Sequence, residues 1–174
     1  MTEQQKYRVL KRLEDLEIRE YEPCVLMQVS VTGDFMMAGS VAFRPLVNFI
    51  SGNNQTGQKI AMTAPVIQES PSEQEHLVSF VLPAGMKADE VPLPTDSRVE
   101  MVPTPAHFVA AKRFSGGWNE ERFAKEGQLL VNAVKAAGLK SIGDIYLARF
   151  DPPWKPGFLK RNEVIIKIER PKAL

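Results

Sequence analysis

A chain of 174 residues with 44% hydrophobic content is long enough to bury a core of its own without disulfide or metal staples. Its 22 Lys and Arg nearly cancel its 21 Asp and Glu, and a net charge of +1 offers no field to hold a phosphate backbone, which argues against a nucleic-acid partner. The single cysteine, Cys24, excludes an intrachain disulfide and a thiolate metal cluster, and with Val25, Leu26 and Met27 after it reads as a small buried hydrophobe. No run approaches the ~18 apolar residues of a membrane span, and Met1-Thr2-Glu3-Gln4-Gln5 lacks the charged-then-apolar order of a secretory signal, so one cytoplasmic domain over residues 1–174 with no membrane insertion is expected.

Taken in order, Tyr7 to Leu10 begins a short strand, although Leu10, Leu13 and Leu16 leave a turn of helix open. Leu16 to Tyr21 alternates apolar and charged residues. After Pro23, the residues Val25, Met27, Val29 and Val31 line one face of a longer strand that ends at Thr32-Gly33-Asp34. From Phe35 to Ile50, Val41, Phe43, Leu46, Val47 and Ile50 recur at helical spacing and predict one apolar face, with a kink or break near Val41 caused by Pro45. Gly52-Asn53-Asn54 stops that helix. A half-buried strand is predicted over Lys59 to Ala64, since Ile60, Met62 and Ala64 alternate with Lys59, Ala61 and Thr63 before Pro65.

Glu75 to Leu82 is the next strand, followed by a proline-rich loop and two strands, Arg98 to Val102 and Ala106 to Phe114, joined at Pro103-Thr104-Pro105. A second helix is predicted from Asn119 to Ala137, with Gly138 as its end cap. Strands at Asp144 to Phe150 and Glu163 to Glu169 complete the chain. Side by side, the two halves share one order of strand, glycine turn, helix, glycine, strand, strand, which predicts an α+β fold built from a duplicated βαββ unit with pseudo-twofold symmetry.

Two stretches carry chemistry. Between Phe150 and Val164, prolines stiffen a loop that holds Trp154 and Phe158 close to Lys155, Lys160 and Arg161, and rigid apolar area beside cations suits a flat amphipathic anion. The other is FRPLVNFISGNN, Phe43 to Asn54, followed by KIAMTAPV, Lys59 to Val66. Together with the Asp-Pro-Pro, Lys-Pro and Arg-Asn-Glu-Val steps of the loop, these runs resemble the signatures of the SOUL haem-binding protein family. The resemblance implies a distorted antiparallel β-barrel flanked by two helices and a hydrophobic surface groove for haem or a related tetrapyrrole. It implies apolar ligand contacts at Phe43 and Val47, a propionate partner at Arg44, and a lysine that reaches the propionates at Lys155. Trp154 and Phe158 accompany Lys155. Of Lys59 and Met62, whose alternation turns them to opposite faces, one at most faces the groove, and Met62 is the apolar choice.

No iron ligand is indicated. Some members of that family carry a histidine after the Arg of a YEVR-like strand, and here Glu20 stands in its place after Arg19. His76 and His107 fall in mid-strand, where a structural hydrogen-bonding role is the commoner one. The leading expectation is therefore a carrier or buffer of tetrapyrroles with no obligatory axial ligand. A small-molecule sensor domain of the duplicated βαββ type is one alternative, and an enzyme working through Glu20, Glu163 or Tyr21 is another. The chain shows no nucleophile elbow, HExxH or phosphate-binding glycine loop.

Overall fold

The computed structural model describes residues 2–152 and 154–172. Among these the chain forms, in order, β1 (Glu3–Gln4), β2 (Tyr7–Arg12), β3 (Glu17–Tyr21), β4 (Cys24–Thr32), α1 (Phe35–Ile50), β5 (Thr63–Ala64), β6 (Val66–Glu69), β7 (Glu75–Val81), β8 (Val99–Thr104), β9 (His107–Phe114), α2 (Glu120–Ala136), β10 (Ser141–Arg149) and β11 (Asn162–Ile168). They fall into two compact units interleaved in sequence, one of residues 1–5 and 23–105 and one of residues 6–22 and 106–174.

In the first unit the strands lie in the order β6-β7-β4-β8, all antiparallel. Register pairs Met27 with Phe80 and Met101, and Val29 with Val78 and Val99, so these side chains share one face. That face is covered by α1 through Ala38, Ala42, Leu46 and Phe49. Two alanines let the helix sit close to the sheet, and Leu46 and Phe49 fill the remaining depth. Asp34 caps the helix by accepting from the Met37 N–H at 3.1 Å, and the chain runs through Pro45 as one continuous helix, so the predicted break is absent.

The predicted apolar face of this helix needs correction as well. Leu46 and Ile50 are buried as expected, but Val41 and Phe43 are exposed and the alanines take their place against the sheet. The stretch Lys59 to Met62 is not strand. Ile60 donates its N–H to the Ile50 carbonyl at 2.8 Å, and only Thr63 and Ala64 pair, in parallel with Glu3 and Gln4. The strand that follows the helix in the sheet is β6, beyond the cis Ala64–Pro65 bond.

In the second unit the order is β2-β3-β9-β11-β10, again antiparallel, with α2 packed against β9, β10 and β11. Tyr7 to Arg12 is therefore strand rather than helix. The lysine of β9, Lys112, meets Glu126 of α2 at 2.5 Å, which identifies the face under the helix as that of Ile18, Ala110, Lys112, Val164 and Ile166. Asn119 caps α2, and past Gly138 the Leu139 N–H returns to the Val134 carbonyl at 3.1 Å. Strand, helix, strand, strand recur as β4-α1-β6-β7 and β9-α2-β10-β11, with sheet orders β6-β7-β4 and β10-β11-β9. The leading strand of each copy takes a further antiparallel neighbour, β8 on β4 and β3 on β9. The fold is α+β, and the duplication predicted from the sequence is present in its topology.

Candidate functional site

The first unit carries an apolar surface that its own packing does not explain. On α1, Met36, Phe43 and Val47 form one stripe at helical spacing, and Met37, Val41 and Arg44 form the stripe beside it. Met37 is 58% and Phe43 47% exposed, and Met36 and Val41 are also exposed; Val47 is half-buried. Phe43 leans its ring edge on Phe80 at 5.7 Å, which fixes its direction without covering it. Several large apolar side chains left to solvent on one helix mark a binding surface more often than an accident. Arg44 is exposed beside them and supplies the one cation of the helix. Met62 is exposed in the segment before β5, and so is Lys59; since that segment is not strand, the alternation expected of them does not apply. Four of the expected ligand residues, Phe43, Arg44, Val47 and Met62, thus lie in this unit.

Behind the surface, the turn out of α1 is fixed by Asn54. Its amide donates to the Phe49 and Gln58 carbonyls at 3.0 and 2.9 Å and its carbonyl accepts the Gln58 N–H at 3.1 Å. Gly52 adopts φ +112°, and a Cβ there would lie 3.2 Å from the Gly57 carbonyl oxygen, so glycine is required.

The other three expected residues belong to the second unit, in the loop between β10 and β11. Trp154 and Phe158 are 82% and 76% exposed. Lys155 is committed to its own loop: its ammonium bonds Asp151 at 2.7 Å, and Asp151 also accepts the Arg161 N–H. Burial would raise the Asp151 carboxyl, but these bonds and charges outweigh it and hold the group below its ordinary range.

The second unit also holds a charged cavity of about 690 Å³ on the sheet face turned away from α2. Its floor is a buried ion-pair network. Arg19, 4% exposed, crosses β9 to reach Glu163, which is 0% exposed, with both nitrogens of its fork bonded at 2.7 and 2.6 Å. Ala111, between them on the same face, carries only a methyl and leaves the crossing open. Arg19 also donates to Glu17 at 2.8 Å and to the Tyr21 hydroxyl at 3.1 Å, and Arg161 adds a bond to Glu163 at 3.1 Å and one to the Tyr7 hydroxyl at 3.0 Å. Burial alone would raise the Glu163 carboxyl, yet the Arg19 hydrogen bonds and the two guanidinium charges draw it below the usual carboxylate range. Burial pushes the Tyr21 hydroxyl up.

A carboxylate held ionised by two arginines is a poor proton donor, so the raised titration that would mark Glu163 as a general acid is absent. The sequence reading missed Arg19 and Arg161 as partners of Glu163. The signals available were a lone acid in the apolar run Asn162–Ile168 and the alternation of Glu17, Arg19 and Tyr21 about Ile18.

Both histidines are engaged within the fold. His76 is buried, with Nδ1 on the Ser70 hydroxyl at 2.8 Å and Nε2 on the Gly33 carbonyl at 2.9 Å, so both ring nitrogens are engaged. His107 stacks on Tyr21 with ring centroids 5.4 Å apart. Among the described residues no cluster of His, Cys, Asp and Glu has the spacing of a metal site. The first unit therefore presents an exposed apolar helix face with Arg44 beside it, and its histidine, His76, has both ring nitrogens engaged.

The model of the SOUL heme-binding protein family matches residues 2–167. Heme-binding protein 1 of Xenopus laevis is 30% identical to this chain over 161 residues, a match that covers 85% of this chain and 80% of the frog protein. Heme-binding protein 1 of Xenopus tropicalis matches to the same extent. Among solved structures, the C-terminal domain of EcmrR has a TM-score of 0.69 at 12% identity, covering 95% of this chain and 99% of that domain, a likeness of fold.

Proposed function

Because the chain belongs to the SOUL heme-binding protein family, we propose that it binds haem and related tetrapyrroles on the exposed face of α1, and carries or buffers them in the cytoplasm rather than transforming them. The observation that supports this reading most directly is the run of exposed apolar side chains on that helix, Met36, Met37, Val41 and Phe43, with Arg44 among them. A porphyrin presents two apolar faces and an edge with two carboxylates. Phe43 and Val47 take the macrocycle, Met62 borders it, and Arg44 meets a propionate. Affinity then comes from removing the ring face from water, and an exposed ion pair adds at most about 1 kcal/mol. Because both nitrogens of His76 are engaged, binding in this unit proceeds without an axial histidine.

The test is haemin titration of Phe43→Asp, which places a charge against the macrocycle and is expected to weaken binding by at least about tenfold. Phe43 also touches Phe80, so Val41→Asp, which alters a more exposed position, serves as the second variant. Unchanged haemin affinity in both, with native circular dichroism, would overturn the assignment to this face.

A further inference from the structure

Among the described residues, the methionines of the first unit divide by burial. Met27 is 0% exposed, and Met86 and Met101 pack partly buried against the same core. Met37, by contrast, is 58% exposed, and Met36 and Met62 are 40% exposed each. Met36 lies on the stripe of Phe43 and Val47, Met37 on that of Val41 and Arg44, and Met62 in the segment before β5. The thioethers open to solvent are thus those of the apolar surface read as the ligand face. The backbone below the first two is fixed, since Asp34 accepts the Met37 N–H at 3.1 Å and α1 runs unbroken to Ile50. Leucine would supply similar apolar area at these positions; methionine adds a flexible chain and an oxidisable sulfur.

We propose that Met36 and Met37, with Met62 at the border, are oxidation sites for hydroperoxides, and that their conversion to sulfoxides lowers the affinity of this face for tetrapyrroles. The inference rests on the tetrapyrrole reading of α1 and adds a regulation to it. The sulfur lone pair attacks one peroxide oxygen, an S–O bond forms as the O–O bond breaks, and the other oxygen leaves as water or alcohol. The thioether is oxidised by two electrons and the peroxide is reduced. Exposure decides where this happens, because the reagent must reach the sulfur. It also decides what the product does. In the free protein a sulfoxide at these exposed positions keeps its oxygen hydrated, and the core is untouched. Once a macrocycle covers the helix, that oxygen loses its water against an apolar ring face that offers no donor. The cost therefore falls on binding rather than on folding. A bound tetrapyrrole in turn shields the sulfurs, so ligand and oxidation oppose each other. Methionine sulfoxide reductases reverse the change.

The experiment treats the ligand-free protein with hydrogen peroxide, removes the excess with catalase, maps the oxidised residues by peptide mass spectrometry and titrates with haemin. Met36→Leu/Met37→Leu/Met62→Leu is taken through the same steps, and each protein is compared only with its own untreated form, because these residues belong to the binding face. Sulfoxide is expected at Met36, Met37 and Met62 and not at Met27, with an unchanged melting temperature. Haemin affinity of the wild type is expected to fall at least about tenfold and to recover after treatment with methionine sulfoxide reductases and dithiothreitol. The leucine variant, which keeps the apolar volume, is expected to change by less than about twofold on peroxide treatment. Sulfoxide at Met36 and Met37 without loss of affinity would overturn the proposal and leave the tetrapyrrole reading standing. An equal loss in the leucine variant would trace the effect to another oxidised group, such as Cys24, and a loss accompanied by a lower melting temperature would trace it to the fold; either overturns the proposal. Resistance of Met36 and Met37 to peroxide does the same. If the untreated wild type takes up no haemin, the tetrapyrrole reading itself fails, and this inference with it.

Discussion

Replacing Glu163 with Gln should destabilise the fold more than any surface change, for a reason visible in the cavity floor. The substitution keeps size and shape but removes the charge that neutralises Arg19, whose side chain is 4% exposed, leaving it only the Glu17 carboxylate at 2.8 Å. Breaking a buried pair by removing one partner costs about 3–5 kcal/mol, and the surviving Glu17 contact places this case near about 3 kcal/mol. For a chain of this size each kcal/mol lowers the melting temperature by about 2–4 °C, so Glu163→Gln is expected to melt about 6–12 °C below the wild type. Thermal and urea unfolding followed by circular dichroism at pH 7 read this directly. Adding Arg19→Met removes the stranded cation and should recover more than half of the loss. A loss under about 1 kcal/mol in the single variant, or a double variant as unstable as the sum of its parts, would refute the argument.

Stability should also fall in acid. In the folded state the carboxyls of Glu163, Glu126 and Asp151 all titrate below their ordinary values; for each, burial pulls upward and is outweighed by the cations bonded to it. The unfolded chain takes up these protons near about pH 4, so the stabilisation is complete above that pH and disappears as pH falls through the lower folded values. Urea midpoints at descending pH should be level down to about pH 5 and then drop; a midpoint that rises toward pH 3 would contradict the network. Gly52→Ala should cost about 1–3 kcal/mol, because φ +112° is open to glycine and the new methyl would press on the Gly57 carbonyl. An unchanged urea midpoint would show that the turn after α1 relaxes freely.

Much of the fold was legible because its strands alternate cleanly. Val25, Met27, Val29 and Val31 announce β4 and its buried face, and the matching order of elements around the Gly33 and Gly116 turns announces the duplication. The helix face was not legible for a physical reason. Ala38 and Ala42 are weak signals of burial, yet close approach to the sheet needs small residues, while the large Val41 and Phe43 that dominate the periodicity point outward. That misreading falls on the helix face proposed to take the ligand. The Lys59–Met62 stretch alternates like a strand but gives its Ile60 N–H to the end of the helix, and alternation alone carries no information about hydrogen-bond partners. The Arg19–Glu163 pair joins residues 144 positions apart, a contact that depends on the strand order β3-β9-β11 and cannot be read from local pattern.

The central claim, a tetrapyrrole held by its apolar ring without an axial histidine, is tested most directly by titrating the wild-type protein with haemin and, in parallel, with metal-free protoporphyrin. Saturable one-to-one binding of both, with affinities within about tenfold of each other, is the predicted result, because ring burial and the propionate contact are the same for the two ligands. Tight haemin binding with a sharp, shifted absorption band, beside weak or absent protoporphyrin binding, would mean that the iron is coordinated and would contradict the account.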